Sequence, residues 1–80
     1  MIEKNDIFVT AQGHQDVIRS TLQGADEFST RKALVLKNPE GYYVRCYDGS
    51  VLAKRIDVYK HTERYAEDTA ENYVLGILNP

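Results

Sequence analysis

Two tight-turn signatures, Asn38-Pro39-Glu40-Gly41 and Tyr47-Asp48-Gly49, stand close together in the middle of the chain, each between residues that favour strands. They predict an antiparallel meander. Proline presets one backbone angle of the first turn, and glycine supplies the left-handed residue that closes each loop. Read as three-residue loops, the two turns set Leu36 opposite Val44, Leu34 opposite Cys46 and Val44 opposite Leu52. One face then gathers Leu34, Leu36, Val44, Leu52, Ile56 and Val58. A two-residue loop at Asp48-Gly49 would instead oppose Cys46 to Val51 and would turn Ile56 and Val58 away from that face unless a bulge intervened, so the first register is preferred.

Helical periodicity flanks the meander. Tyr65, Ala66, Thr69, Ala70, Tyr73, Val74, Ile77 and Leu78 recur on one helical face and predict a helix over residues 63–78. Thr62 suits its N-cap, Glu63 suits the positive end of its dipole, and Arg64 stands one turn before Asp68. Val17, Ile18, Thr21, Leu22 and Ala25 predict a shorter amphipathic helix, preceded by the β-favouring run Ile7-Phe8-Val9 as a short strand or an extended arm. The expected fold is α+β, in two layers: a three-stranded antiparallel meander with two helices packed on one face, in the order α-β-β-β-α, with that optional N-terminal strand.

That order is similar to the one in double-stranded RNA-binding domains, which also lay two helices on one sheet face. The family places lysines at the start of its second helix for phosphate. The matching stretch here, Lys60 to Asp68, is acidic beyond Arg64, so no functional residue carries over and topology alone transfers no function.

A chain of 80 residues can bury only about 60–65% of its unfolded surface, which limits it to one small domain spanning residues 1–80. An apolar content of 42% with a net charge of -2 describes a folded chain rather than a disordered one. No apolar run approaches a membrane span and the polar start lacks the pattern of a secretory signal. With the lone Cys46, these features lead to the expectation of a soluble, cytoplasmic protein. Charge is distributed unevenly: residues 1–30 sum to -3, residues 31–60 to +4 and residues 61–80 to -3.

The preferred register turns Ala33, Val35, Lys37, Tyr43, Arg45, Val51, Ala53 and Arg55 outward. A mixture of tyrosine, arginine and aliphatic groups resembles a protein interface more than a solvated sheet, so Val35, Lys37, Tyr43, Arg45, Val51 and Arg55 are the candidate partner-binding residues. Glu63, Glu67, Asp68 and Glu71 form a candidate acidic face on the last helix, able to imitate a phosphate backbone or simply to be solvated. Leu75, Ile77 and Leu78 make an apolar tip.

Chemistry is harder to find. His14, Asp16, Ser20 and Thr21 are neighbours in sequence, yet a catalytic triad also needs an oxyanion site in a cleft. Neither His14 nor His61 has a histidine or cysteine at zinc spacing, the glycines are isolated, and Cys46 is expected inside the core, so no cofactor, metal or catalytic residue is assigned. The expected function is that of a non-catalytic protein-binding module that occupies a partner's surface. In size and style it resembles bacteriophage or mobile-element accessory proteins that inhibit or regulate host machinery. A second copy of the chain is a further candidate partner. The alternative is a nucleic-acid-binding domain, with Tyr43 stacking on bases and Lys37, Arg45, Lys54 and Arg55 on phosphates.

Overall fold

The computed structural model describes residues 6–78 and shows an α+β fold of one antiparallel sheet and one helix. Strands β1 (Asp6–Val9), β2 (Gln15–Gln23), β3 (Arg31–Asn38), β4 (Gly41–Asp48) and β5 (Val51–Asp57) lie side by side in chain order, and α1 (Glu63–Val74) follows them. The central meander, the N-terminal strand and the last helix are as expected; the first helix is not there. Its residues form β2, with Ile18 opposite Leu36, Ser20 opposite Val35 and Arg19 bulged out between them. That bulge explains the error. An extra residue reverses the in-out alternation, so Val17-Ile18 and Thr21-Leu22 fall at a spacing that imitates a helical stripe. With a strand in place of that helix, the similarity of element order to double-stranded RNA-binding domains no longer holds.

The register also differs from the preferred one. Asn38 pairs with Gly41, so the first loop holds only Pro39 and Glu40. The Asn38 side chain is what closes it: Oδ1 accepts hydrogen bonds from the backbone N–H of Glu40 at 2.9 Å and of Gly41 at 3.2 Å. Val35 therefore faces Val44 and Ala33 faces Cys46, while Leu36 faces Tyr43 and Leu34 faces Arg45. Shifting one residue moved Ala33 and Val35 to the opposite side from Tyr43 and Arg45. The second loop is Gly49-Ser50, and a bulge at Ala53 then sets Cys46 opposite Lys54 and Val44 opposite Ile56. Ile56 so stays on the face of Val44, as expected, but Leu52 crosses to the other side, opposite Tyr47.

Each side of the sheet carries its own apolar cluster. Beneath α1, Ala33, Val35, Val44, Cys46 and Val58 pack against Ala66, Ala70, Tyr73 and Val74. Two alanines at a one-turn spacing let the helix approach closely, and Thr62 caps it by accepting the Tyr65 N–H at 3.2 Å. Arg31 fastens the far end, donating to the carbonyls of Tyr73 at 2.9 Å and Leu78 at 3.1 Å and lying over the rings of Phe28 and Tyr73. The helix stops at Val74 rather than at residue 78, because Gly76 takes a positive φ and the Ile77 N–H returns to the Asn72 carbonyl. On the helix-free side, Ile18, Leu34, Leu36 and Tyr43 form the second cluster, edged by Phe8, Tyr47 and Tyr59.

Candidate functional site

Among the described residues no secondary-structure element covers the second cluster. Its cover is made of side chains from the same face, and they hold one another. The Arg45 guanidinium lies 4.7 Å from the Phe8 ring centre and donates from Nε to the Tyr47 hydroxyl at 2.8 Å. Arg55 lies 4.1 Å above the Tyr43 ring, pairs with Asp57 at 2.8 Å and donates to the Tyr59 hydroxyl at 2.6 Å. Lys32 sits over Tyr47. Stacking of cations on aromatic faces keeps Leu34, Leu36 and Tyr43 dry while each charge stays near water.

At one end of this face is a cleft of about 350 Å³ between the β1–β2 and β3–β4 turns, lined by His14, Asp16, Asn38, Glu40, Arg55 and Tyr59 among others. Local geometry brings these groups together. Asn38, having closed its own loop through Oδ1, donates from Nδ2 to the Tyr59 hydroxyl at 3.2 Å. Gly41, at φ 140°, leaves room for the backbone of Tyr59, whose carbonyl oxygen would stand 2.5 Å from any Cβ placed there. At the floor, Asp16 is buried and accepts the hydroxyl proton of Tyr43 at Oδ2. Burial, followed by that carboxylate, holds the Tyr43 phenol well above the usual tyrosine range.

The expected partner-binding residues are dispersed. Val35 and Tyr43 are fully buried: Val35 lies beneath α1, and Tyr43 faces the helix-free side as expected but has its ring covered by Arg55. Lys37 is exposed beside the Tyr42 ring, and Val51 is exposed at the outer end of β5. Only Arg45 and Arg55 share the helix-free face and remain within reach of a partner. The acidic ridge is likewise divided. Glu63 is paired with Arg19 at 2.7 Å and Glu67 accepts from Ser20 at 3.2 Å, leaving Asp68 and Glu71 exposed near Arg64. No ion pair joins Arg64 to Asp68 among the described residues.

His14 and Asp16 meet at the cleft, but Ser20 is turned toward α1. Cys46 is buried, and burial pushes its thiol pKa up. Among the described residues no group of three or more histidine, cysteine or carboxylate side chains stands ready to hold a metal ion, and no helix is long and apolar enough to cross a membrane. Comparison with known families, characterised proteins and solved structures finds no match.

Sequence reasoning missed Phe8, Asn38, Tyr47 and Tyr59 as parts of one surface, and it weighed Asp16 only as a sequence neighbour of His14, Ser20 and Thr21. Asp16 lies in an apolar, β-branched run, Asp16-Val17-Ile18, a composition that favours a strand and would have turned its carboxylate inward. A second hollow, about 360 Å³ and more apolar, runs between β5 and α1 past Ile56, Tyr65 and Ile77. Leu75, exposed as expected of the apolar tip, and Ile77 add exposed apolar surface beside it.

Proposed function

We propose that this protein is a non-catalytic protein-binding module that inhibits or regulates a partner by occupying its surface, and that it docks through the helix-free sheet face. The carrying observation is the fixed lattice of Phe8, Arg45, Tyr47, Arg55 and Tyr59, in which arginine and tyrosine are already held in place by one another. Arginine and tyrosine dominate the energetics of protein interfaces, and side chains ordered beforehand lose less entropy on binding. Charge favours protein over nucleic acid as the partner: among the described residues Lys32, Arg45 and Arg55 share this face with Asp6, Asp16 and Asp57, a formal sum of zero. Phosphate attraction would be weak, and Tyr43, under Arg55, presents no ring for a base to stack on.

Affinity capture with three proteins tests the reading. The wild type should recover one stoichiometric protein. Tyr47→Ala combined with Arg45→Glu should lose it, while Tyr65→Ala combined with Ile77→Ser, in the β5–α1 hollow, should keep it. Recovery that depends only on the hollow variants would overturn the assignment of the face, and recovery of nucleic acid that falls steeply with salt would overturn the class of partner.

A further inference from the structure

The cleft contains a buried carboxylate that no ion pair among the described residues takes up. Asp16 is 4% exposed, and its only side-chain hydrogen bond among the described residues is the one that Oδ2 accepts from Tyr43. The second oxygen, Oδ1, takes no hydrogen bond, and no buried side-chain oxygen among the described residues is sealed without a partner; Oδ1 therefore opens onto the cleft that Asp16 lines. Among the described residues no lysine or arginine forms an ion pair with it. The cation that lines the cleft, Arg55, donates through Nε to Asp57 and through Nη2 to the Tyr59 hydroxyl, and not to Asp16. Counting Asp16, Glu40 and Asp57 against Arg55, the cleft and its immediate support carry a formal charge of -2. A carboxylate withdrawn from water is costly unless a charged partner or further donors replace the lost solvation, and here one phenol does only part of that.

We infer that this cleft is a receptor for a cationic side chain, a primary ammonium or a guanidinium, presented by the partner protein, with Asp16 Oδ1 as its principal acceptor and Glu40 as a second carboxylate on the rim. The source of the cation rests on the protein-docking reading above; the chemistry of the cleft does not. His14 and Asn38 flank the entrance and add polar surface, and Tyr59 forms a wall whose hydroxyl accepts from both Asn38 and Arg55. Guanidinium would match a planar pair of acceptors, ammonium a single deep one. The cleft lies at the end of the face that carries Arg45 and Tyr47, so a partner lying on that face would place a long basic side chain into it without any rearrangement of the sheet.

The test uses the whole chain, uniformly labelled with ¹⁵N, and two small probes, n-butylammonium and methylguanidinium, each against sodium chloride of equal ionic strength and against neutral n-butanol. Saturable shifts confined to Thr10–Asp16, Asn38–Gly41 and Tyr59 are expected, with midpoints of about 1–100 mM, as befits probes of a few heavy atoms. The stronger of the two probes identifies the side chain. Asp16→Asn should weaken binding by about tenfold or more, since it removes the charge and keeps the Tyr43 contact. Should that variant unfold, Glu40→Gln, on the exposed rim, should still weaken binding by about twofold to threefold, as expected for a screened charge. Absence of saturation, equal shifts with n-butanol, or unchanged affinity in both variants would overturn the proposal. A silent titration alongside face-dependent capture rejects the cation receptor alone. A responding cleft without face-dependent capture rejects protein docking alone.

Discussion

Tyr43 is buried on the side of the sheet opposite α1, and its hydroxyl is, among the described residues, the sole side-chain hydrogen-bond donor to the buried carboxylate of Asp16. Replacing it with phenylalanine keeps the ring beneath Arg55 but leaves Asp16 without that donor. Tyr43→Phe should therefore cost about 1–3 kcal/mol at neutral pH, read as a lower urea midpoint with unchanged slope. The same contact makes stability depend on alkali. Burial and then Asp16 raise the phenol's pKa, so the unfolded chain ionises first, and the native advantage is complete below about pH 10 and is lost as pH rises through the folded value. Urea unfolding at pH 9 and pH 11 should show a loss in the wild type that is smaller in Tyr43→Phe, with a remainder from Tyr73, also raised by burial. An equal loss in both proteins would mean that Tyr43 does not carry the linkage.

At the scale of elements, Gly41 couples the first turn of the meander to the segment that bears Tyr59. Any Cβ there would meet backbone atoms of Tyr59 at 2.5–3.1 Å, and its φ of 140° lies where side chains are strained. Gly41→Ala should destabilise the fold by about 2 kcal/mol or more, because backbone cannot yield as a flexible side chain does. It should also displace Tyr59 and blunt the cleft, visible as shifts at Asn38 and Arg55 in amide spectra. Whether sequence revealed an element depended on how local its determinants were. The last helix was legible because Thr62 and the Ala66, Ala70, Tyr73 stripe act within a turn or two, and the meander was legible from its turn residues. Its phase was not, since glycine was read as closing the first loop where the Asn38 side chain closes it. β2 was missed because the bulge at Arg19 conceals strand alternation, and Arg19 finds its partner, Glu63, only in the folded molecule. The site suffered for the same reasons: Asp16, Asn38 and Tyr59 are far apart in sequence and meet only when β2, the first turn and the segment after β5 are assembled.

In the whole molecule, order is concentrated in the middle of the sheet. β3 and β4 are paired on both sides and contribute buried residues to both clusters, whereas β1 and β5 are edges. Amides of Leu34–Leu36 and Tyr43–Cys46 should exchange last, by global unfolding with a free energy of about 4–12 kcal/mol for a chain of this size, and the ladder-bonded amides of β1 about 100-fold faster or more. This gradient turns hydrogen exchange into a way of locating the partner. A partner seated on the helix-free face covers Phe8 of β1 and the turn that holds His14, so β1 and residues 10–14 should gain protection while the backbone moves little, their side chains being already in place. A partner that instead added a strand to the open edge of β5 would protect Val51–Asp57 and leave β1 as it was. Lys54 and Arg55 on that edge, with the bulge at Ala53, oppose such pairing, so protection should appear at β1 and not at β5, and the reverse pattern would move the docking surface from the helix-free face to the β5 edge.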